Sequence, residues 1–419
     1  MGERGVLLII KWIILWFVLV FYGVSSTSRH STEVHKQANY YKKHAVKTIQ
    51  SEDGDIIDCI NIHKQPAFDH PLLRNHKIQM MPSHEQAMDL KSVSNNSTKK
   101  EKPNMMLTSQ VWRKNGTCPY GTVPIRRILR KQLHNYKSSI DQFGRKGPSF
   151  PHHYKTPNED DTSNALLVNR SFAVLITEGF SYNGAKADIK VWNPYVEHDD
   201  EYSSSRIALK TGPYKNYESI EAGWIVNPSL YGDKQTRIYA YWTADGSNMT
   251  GCFDLLCPGF VQTSNEVAIG GVIQSIPVPG GLPWILTLYI VRDTATSNWW
   301  LQYQENTYIG YWPAELFGGL SMIAESVQWG GEVYSSRVGH PGHTKTEMGS
   351  GVLGRSESSG WTKRMRIRDN SLVLKYPEWV SPYTTDYDCY NVVLIWEYMI
   401  DPEFHFGGPG KGWERWRCN

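Results

Sequence analysis

The chain has 419 residues, with 44 Lys and Arg against 41 Asp and Glu, a formal net charge of +3, and 16 Trp and 24 Tyr. That length fits two domains, one with a substantial core, and basic residues interspersed with nearly as many acids exclude the charge footprint of a nucleic-acid binder. The sequence holds no HExxH, GxSxG or Walker loop and no cysteine beside a plausible base, and its 14 histidines show no metal spacing, so neither metal nor cofactor is expected.

Residues 7–23, LLIIKWIILWFVLVFYG, are almost wholly apolar, with Arg4 and Lys11 towards the front and Gly23-Val24-Ser25-Ser26 behind. This reads as a signal peptide over residues 1–26, cleaved near Ser25 or Ser26, and predicts an extracellular protein without stable membrane association. A run of this length also approaches a membrane span, so an uncleaved anchor is the alternative.

Residues 27–142 carry Lys, His, Met and Asn with few aromatics, and read as a smaller N-terminal domain with an exposed polar loop from Ser92 to Lys102. Residues 143–163 hold prolines, glycines and an acidic run, the composition of a linker. From residue 164 to 419, strand signals follow one another. Ala185–Val191 alternates as a strand with one wet face, and Thr236–Trp242 alternates too. Phe172–Ile176 and Ile285–Val291 are continuous apolar runs, as in strands buried on both sides. Pro/Gly turns punctuate the whole region with no competing helical period. The predicted fold is all-β, an antiparallel β-sandwich of two packed sheets.

Six cysteines behind a secretory start predict disulfides, and chain order suggests Cys59–Cys118, Cys252–Cys257 and Cys389–Cys418. Asn95, Asn96, Asn115, Asn169 and Asn248 begin N-x-S/T sequons, candidates for glycosylation on a secreted surface.

Two glutamates stand out in strand-like, glycine-flanked aromatic stretches: Glu221 in IEAGW and Glu332 in VQWGGEV. Strand periodicity puts Glu221, Gly223 and Ile225 on one face, and Gln328, Gly330 and Glu332 on one face of the other stretch. The glycines remove bulk beside each carboxylate, leaving room for a bound backbone or a water. A carboxylate pair in one cleft suits amide hydrolysis. Two such groups do not both ionise cheaply, so one serves as acid while the other activates water. Which does which is not legible in the sequence, because a coupled pair titrates as a unit. Gln328, Trp224, Tyr241 and Trp329 are candidates for binding substrate or stabilising the oxyanion. An aromatic-rich sandwich is equally the frame of a carbohydrate-binding or wall-associated protein, or of a paired-carboxylate glycosidase.

The stretches DCINIHKQPAFDHPLLRNHKIQMMPS and QVWRKNGTCPYGTVPIRR, then IEAGWIVNPSLYGDKQTRIYAYWTADG, TGCFDLLCPGFVQTS, NWWLQY, IGYWPAELF, WGGEV and HTKTEMGSG, resemble the neprosin family of plant secreted glutamic peptidases over about two-thirds of the chain. The resemblance implies a zymogen: an activation-peptide domain over 27–142 acting as intramolecular inhibitor, a cleavage region in 143–163, and a prolyl endopeptidase over 164–419 whose substrates are proline-containing peptides. It also implies an apoplast or cell-wall location. Carried over by position, the catalytic residues are Glu221 and Glu332. One departure is Gln328, where the family usually has an acid before WGG.

Overall fold

The computed structural model describes residues 42–83, 106–107, 109–129, 144, 146, 169–213, 216–273, 283–396, 401–411 and 418. The apolar run 7–23, the loop 92–102, Asn95, Asn96 and all of 143–163 except Gly144 and Lys146 lie outside the described residues. The N-terminal part contributes β1 (Ala45–Gln50), β2 (Ile56–Asn61), β3 (Met106–Leu107) and β4 (Thr122–Arg126). Then follow β5 (Arg170–Tyr182), β6 (Gly184–Lys190), β7 (Tyr202–Thr211), β8 (Glu218–Val226), β9 (Arg237–Thr243), β10 (Cys252–Phe253), β11 (Val261–Gln262) and β12 (Trp284–Arg292). The chain closes with β13 (Trp299–Tyr303), β14 (Thr307–Trp312), β15 (Ala324–Tyr334), β16 (Gly360–Arg368), β17 (Leu374–Lys375), β18 (Ser381–Thr384), β19 (Asn391–Ile395) and β20 (Glu403–Gly407).

Strands β1, β2 and β4 form a separate three-stranded sheet. The rest build two sheets, one ordered β10-β9-β8-β7-β15-β5-β18 and one containing β11-β14-β13-β12-β6-β16-β20-β19, with β17 on β16 and β3 on β12. Pairing is antiparallel except for β3 on β12. The all-β sandwich is therefore present, preceded by a smaller N-terminal unit. Its inter-sheet core takes one face of every alternating strand: Ala173 and Leu175 from β5, Ile207 and Leu209 from β7, Ile220, Ala222 and Trp224 from β8, and Val327, Trp329 and Val333 from β15. Facing them are Ala187 and Ile189 of β6, Leu286 and Leu288 of β12, and Phe404 and Phe406 of β20.

Strand β6 departs from the one-wet-face reading. Asp188 is buried, accepting from the Thr287 hydroxyl at 2.7 Å and the Arg364 guanidinium at 2.6 Å, while the Lys190 ammonium lies over the rings of Trp192 and Trp361. Polar alternation there marks partnered side chains beneath neighbouring segments, since a central strand of a large sheet can be covered on both faces. All three disulfides form in the pairing that chain order suggests. Cys59–Cys118 lies wholly within the N-terminal unit.

Candidate active site

Sheet register puts Glu221 and Glu332 on the same face, away from the core. Gln328, Ala208, Glu221 and Tyr241 form one cross-strand row; Gly330, Arg206, Gly223 and Tyr239 form the next; Glu332, Ser204, Ile225 and Arg237 form the third. The two glutamates thus lie on a diagonal across β8, β7 and β15, with Arg206 of β7 at its midpoint. The glycines of EAGW and WGG flank Arg206 in its own row.

Their role is tighter than leaving space. A Cβ at Gly223 would stand 1.9 Å from the Ser205 carbonyl oxygen, and one at Gly330 would stand 2.3 Å from that of Ala173. Gly330 also has φ of +134°, a conformation that side-chain-bearing residues avoid. The strands approach too closely at this row for any other residue, and the approach brings the flanking rows together.

Both glutamates are almost fully buried, Glu221 at 3% and Glu332 at 1% exposure. Arg206 donates from Nε to Glu221 Oε2 at 2.8 Å, and the same nitrogen is 3.3 Å from Glu332 Oε2. A second cation joins them from the segment read as a linker: Lys146 Nζ is 2.6 Å from Glu221 Oε2 and 3.1 Å from Glu332 Oε2. Its ammonium also faces the rings of Tyr239, Tyr241 and Phe253. Two residues before it, the Gly144 carbonyl accepts from the Phe253 amide at 2.7 Å, and the Cys252–Cys257 loop packs beside it. At Gly144 and Lys146, then, the segment is buried, with Lys146 bridging the carboxylate pair.

The surroundings of the two acids differ. Glu332 Oε1 accepts from the Tyr202 hydroxyl at 2.5 Å and lies 3.3 Å from Arg170 Nε. Glu221 Oε1 has the Ser219 hydroxyl at 3.2 Å. Burial alone would push both carboxyls up, but Lys146 and Arg206 outweigh it. Glu221 is drawn below the usual carboxylate range. Glu332, with Arg170 and the Tyr202 hydroxyl in addition, is also held well below the usual carboxylate range. Arg206 Nη1 is buried with no hydrogen-bond partner among the described residues, which leaves one guanidinium donor beside the pair unused.

Of the other candidate residues, Tyr241 and Gln328 share the row of Glu221. Tyr241 is buried with its hydroxyl 2.7 Å from Ser247 Oγ, and Gln328 is 4% exposed. Trp224 and Trp329 are not in the site. Both point into the inter-sheet core at 0% exposure, and the Trp224 indole donates to the Lys190 carbonyl at 2.9 Å. Alternation puts each on the face opposite its neighbouring glutamate row. Asn115 and Asn248 are exposed and Asn169 is half-buried. The site residues not read from sequence are Lys146, Arg206, Arg170 and Tyr202. The usable signal was YSSSRIALKT, a strand-length segment whose arginine alternates with apolar residues.

Residues 199–409 match the family described as Neprosin, and residues 48–175 match Neprosin activation peptide. The latter match ends inside β5 of the sandwich. Among solved structures, the chain is similar to a scytalido-glutamic peptidase with a peptide-based transition state analog, at 7% identity and a TM-score of 0.32, covering 57% of this chain and 98% of that one. It is also similar to SCP-B, a member of the Eqolisin family of peptidases in complex with the tripeptide Ala-Ile-His, at 5% identity and a TM-score of 0.30, covering 58% and 98%.

Proposed function

The chain belongs to the neprosin family of peptidases and carries that family's activation peptide, and on that premise we propose that it is the secreted zymogen of a glutamic endopeptidase cleaving near proline, with Glu221 and Glu332 as its acid/base pair. The observation that carries this reading is the meeting of two buried carboxylates, from separate strands, around shared cations. Three disulfides and the apolar N-terminal run favour an extracellular protein, released to the apoplast or wall.

Latency follows from Lys146. An ammonium bound to both carboxylates occupies the position a water and a scissile amide would need, and it keeps both acids ionised. Loss of that cation leaves Glu332 with Arg206, Arg170 and the Tyr202 hydroxyl, and Glu221 with Arg206, the Ser219 hydroxyl and the more distant Lys210. Glu221 therefore takes up a proton first and becomes the acid, while Glu332 remains the base. Glu332 removes a proton from water as its oxygen bonds to the carbonyl carbon, and Glu221 protonates the departing nitrogen as the C–N bond breaks. The unused Arg206 Nη1 donor supplies positive charge for the intermediate's oxygen.

The test is incubation of acid-treated protein with a proline-containing peptide, products being read by mass spectrometry. Cleavage beside proline, lost in Glu221→Gln and in Glu332→Gln, is expected. Undiminished cleavage by both variants overturns the carboxylate pair.

A further inference from the structure

A second buried cation stands next to the site without an anion to match. Lys210 of β7 shares a face with Arg206 and Ala208 and is one row beyond the row of Glu221, directly between Ser219 of β8 and Ser326 of β15. It is 6% exposed, and its ammonium lies 5.2 Å from the centre of the Tyr217 ring, itself buried. No carboxylate pairs with it among the described residues. The nearest acids on neighbouring strands are used elsewhere: Glu218 accepts from the Gly318 and Leu320 amides, Glu325 accepts from the Gly212 amide, and Glu221 belongs to Lys146 and Arg206. Glu178, on the same face, is two strands away and half-buried.

A buried ammonium without an anion weakens a fold, since desolvation is not offset; a methionine would fill the same space at less cost. Burial together with Arg206 lowers the Lys210 ammonium to about 7, against the pull of Glu221 and Glu332 and with a further push from Lys146. Below that pH the lysine carries a charge with no carboxylate paired to it among the described residues, on the same sheet face as Glu221 and Glu332. A strand advances about 3.4 Å per residue, so a row two residues beyond Ala208 is about 7 Å from the row of Glu221, the reach of one or two residues of an extended substrate.

We propose that Lys210, backed by the Tyr217 ring, is a specificity-determining residue that seats a substrate carboxylate, an acidic side chain within two residues of the scissile bond, and rejects a basic one. This rests on the peptidase reading above. Its charge complements the ligand, and a like charge placed there meets repulsion in a partly dry cleft.

The experiment uses the acid-activated protein and peptides sharing one proline cleavage site, with Glu, Gln or Lys placed singly at each of the two positions on either side. At pH 5 a free glutamate is mostly ionised and Lys210 is protonated. One position is expected to give kcat/KM in the order Glu, Gln, Lys, with at least about tenfold between the extremes, carried mainly by KM. In Lys210→Met, or Lys210→Gln should the methionine variant misfold, that ratio falls towards one. No discrimination at any position, or discrimination that survives both substitutions, overturns the inference while leaving the peptidase reading intact. Failure of the wild type to cleave even the Gln peptides overturns both.

Discussion

At the residue scale, the pair of acids and their cations make separable predictions. Glu221→Gln and Glu332→Gln preserve shape and hydrogen bonding but cannot exchange a proton, so each is expected to lower turnover by at least about 10²-fold while folding persists. Gln328→Glu is the matched control. Gln328 sits in Glu221's row, whereas Lys146 and Arg206 contact Glu332, so the added acid is expected to leave the requirement for Glu332 in place. Retention of turnover by Glu332→Gln together with a sharp gain in Gln328→Glu would relocate the second carboxylate. Lys146→Met removes the bridging charge, and the full-length variant is expected to cleave peptide at a higher pH than the wild type without prior acid treatment. A pH–rate profile of the uncleaved protein measures it, and a profile identical to wild type would count against Lys146 as the block. The glutamates were legible because each stands beside glycine in a strand-like run. Lys146 was not, because nothing in a proline- and glycine-rich segment says which residue folds back onto a sheet.

At the scale of elements, strand alternation decided more than residue type. Period-2 reading assigned both faces of β8 and β15 correctly, yet aromatic character alone drew Trp224 and Trp329 into the list of substrate contacts, although the same alternation turns them into the core. Trp224→Ala is therefore expected to destabilise the protein by about 3–5 kcal/mol, the range for truncating a buried aromatic. Among molecules still folded, KM for peptide should change little. Chemical denaturation and steady-state kinetics on one preparation separate the two effects, and a large KM change at unchanged stability would return Trp224 to the cleft. Strand β7 shows the opposite limit. Its residues place Arg206 and Lys210 on one face by simple alternation. That β7 separates the two glutamate strands is a fact of sheet order, between segments more than a hundred residues apart, and no local pattern encodes it.

At the scale of the whole molecule, the N-terminal unit holds the sandwich through buried and half-buried polar contacts. Asp55 of that unit binds Arg237 of β9 at 2.6 Å, and His76 sits between Glu315 and the Tyr311 hydroxyl. Asp293 accepts from the Ser83 amide and hydroxyl, both at 2.9 Å, and from the Gln79 side chain at 2.6 Å. Burial pushes Asp293 up, but these donors and the Ala295 amide bring it down to about 2. Arg292 is its charged neighbour, and Asn298 is tied to Gln79 beside it. Removing residues 76–83 takes away the Ser83 and Gln79 donors, so the released sandwich holds a less acidic Asp293. The sign follows from linkage. Ionised Asp293 favours the docked state, its contribution is full above about 4, the ordinary value for the group, and it is lost as pH falls towards 2. Glu221, drawn down against its burial by Lys146 and Arg206, gains proton affinity when Lys146 leaves and so adds to the same acid-sensitive release. Cleavage of the connecting segment alone is therefore expected to leave the N-terminal unit bound at neutral pH. Acid should release it, each linked carboxylate contributing at most about tenfold in affinity per pH unit. Size-exclusion chromatography of the nicked protein at pH 7 and pH 3 checks this, with Asp293→Asn expected to release the unit at a higher pH than wild type. Dissociation of the nicked wild type already at pH 7, or a release pH unmoved by Asp293→Asn, would show that Asp293 does not act as an acid-sensitive latch between the two parts.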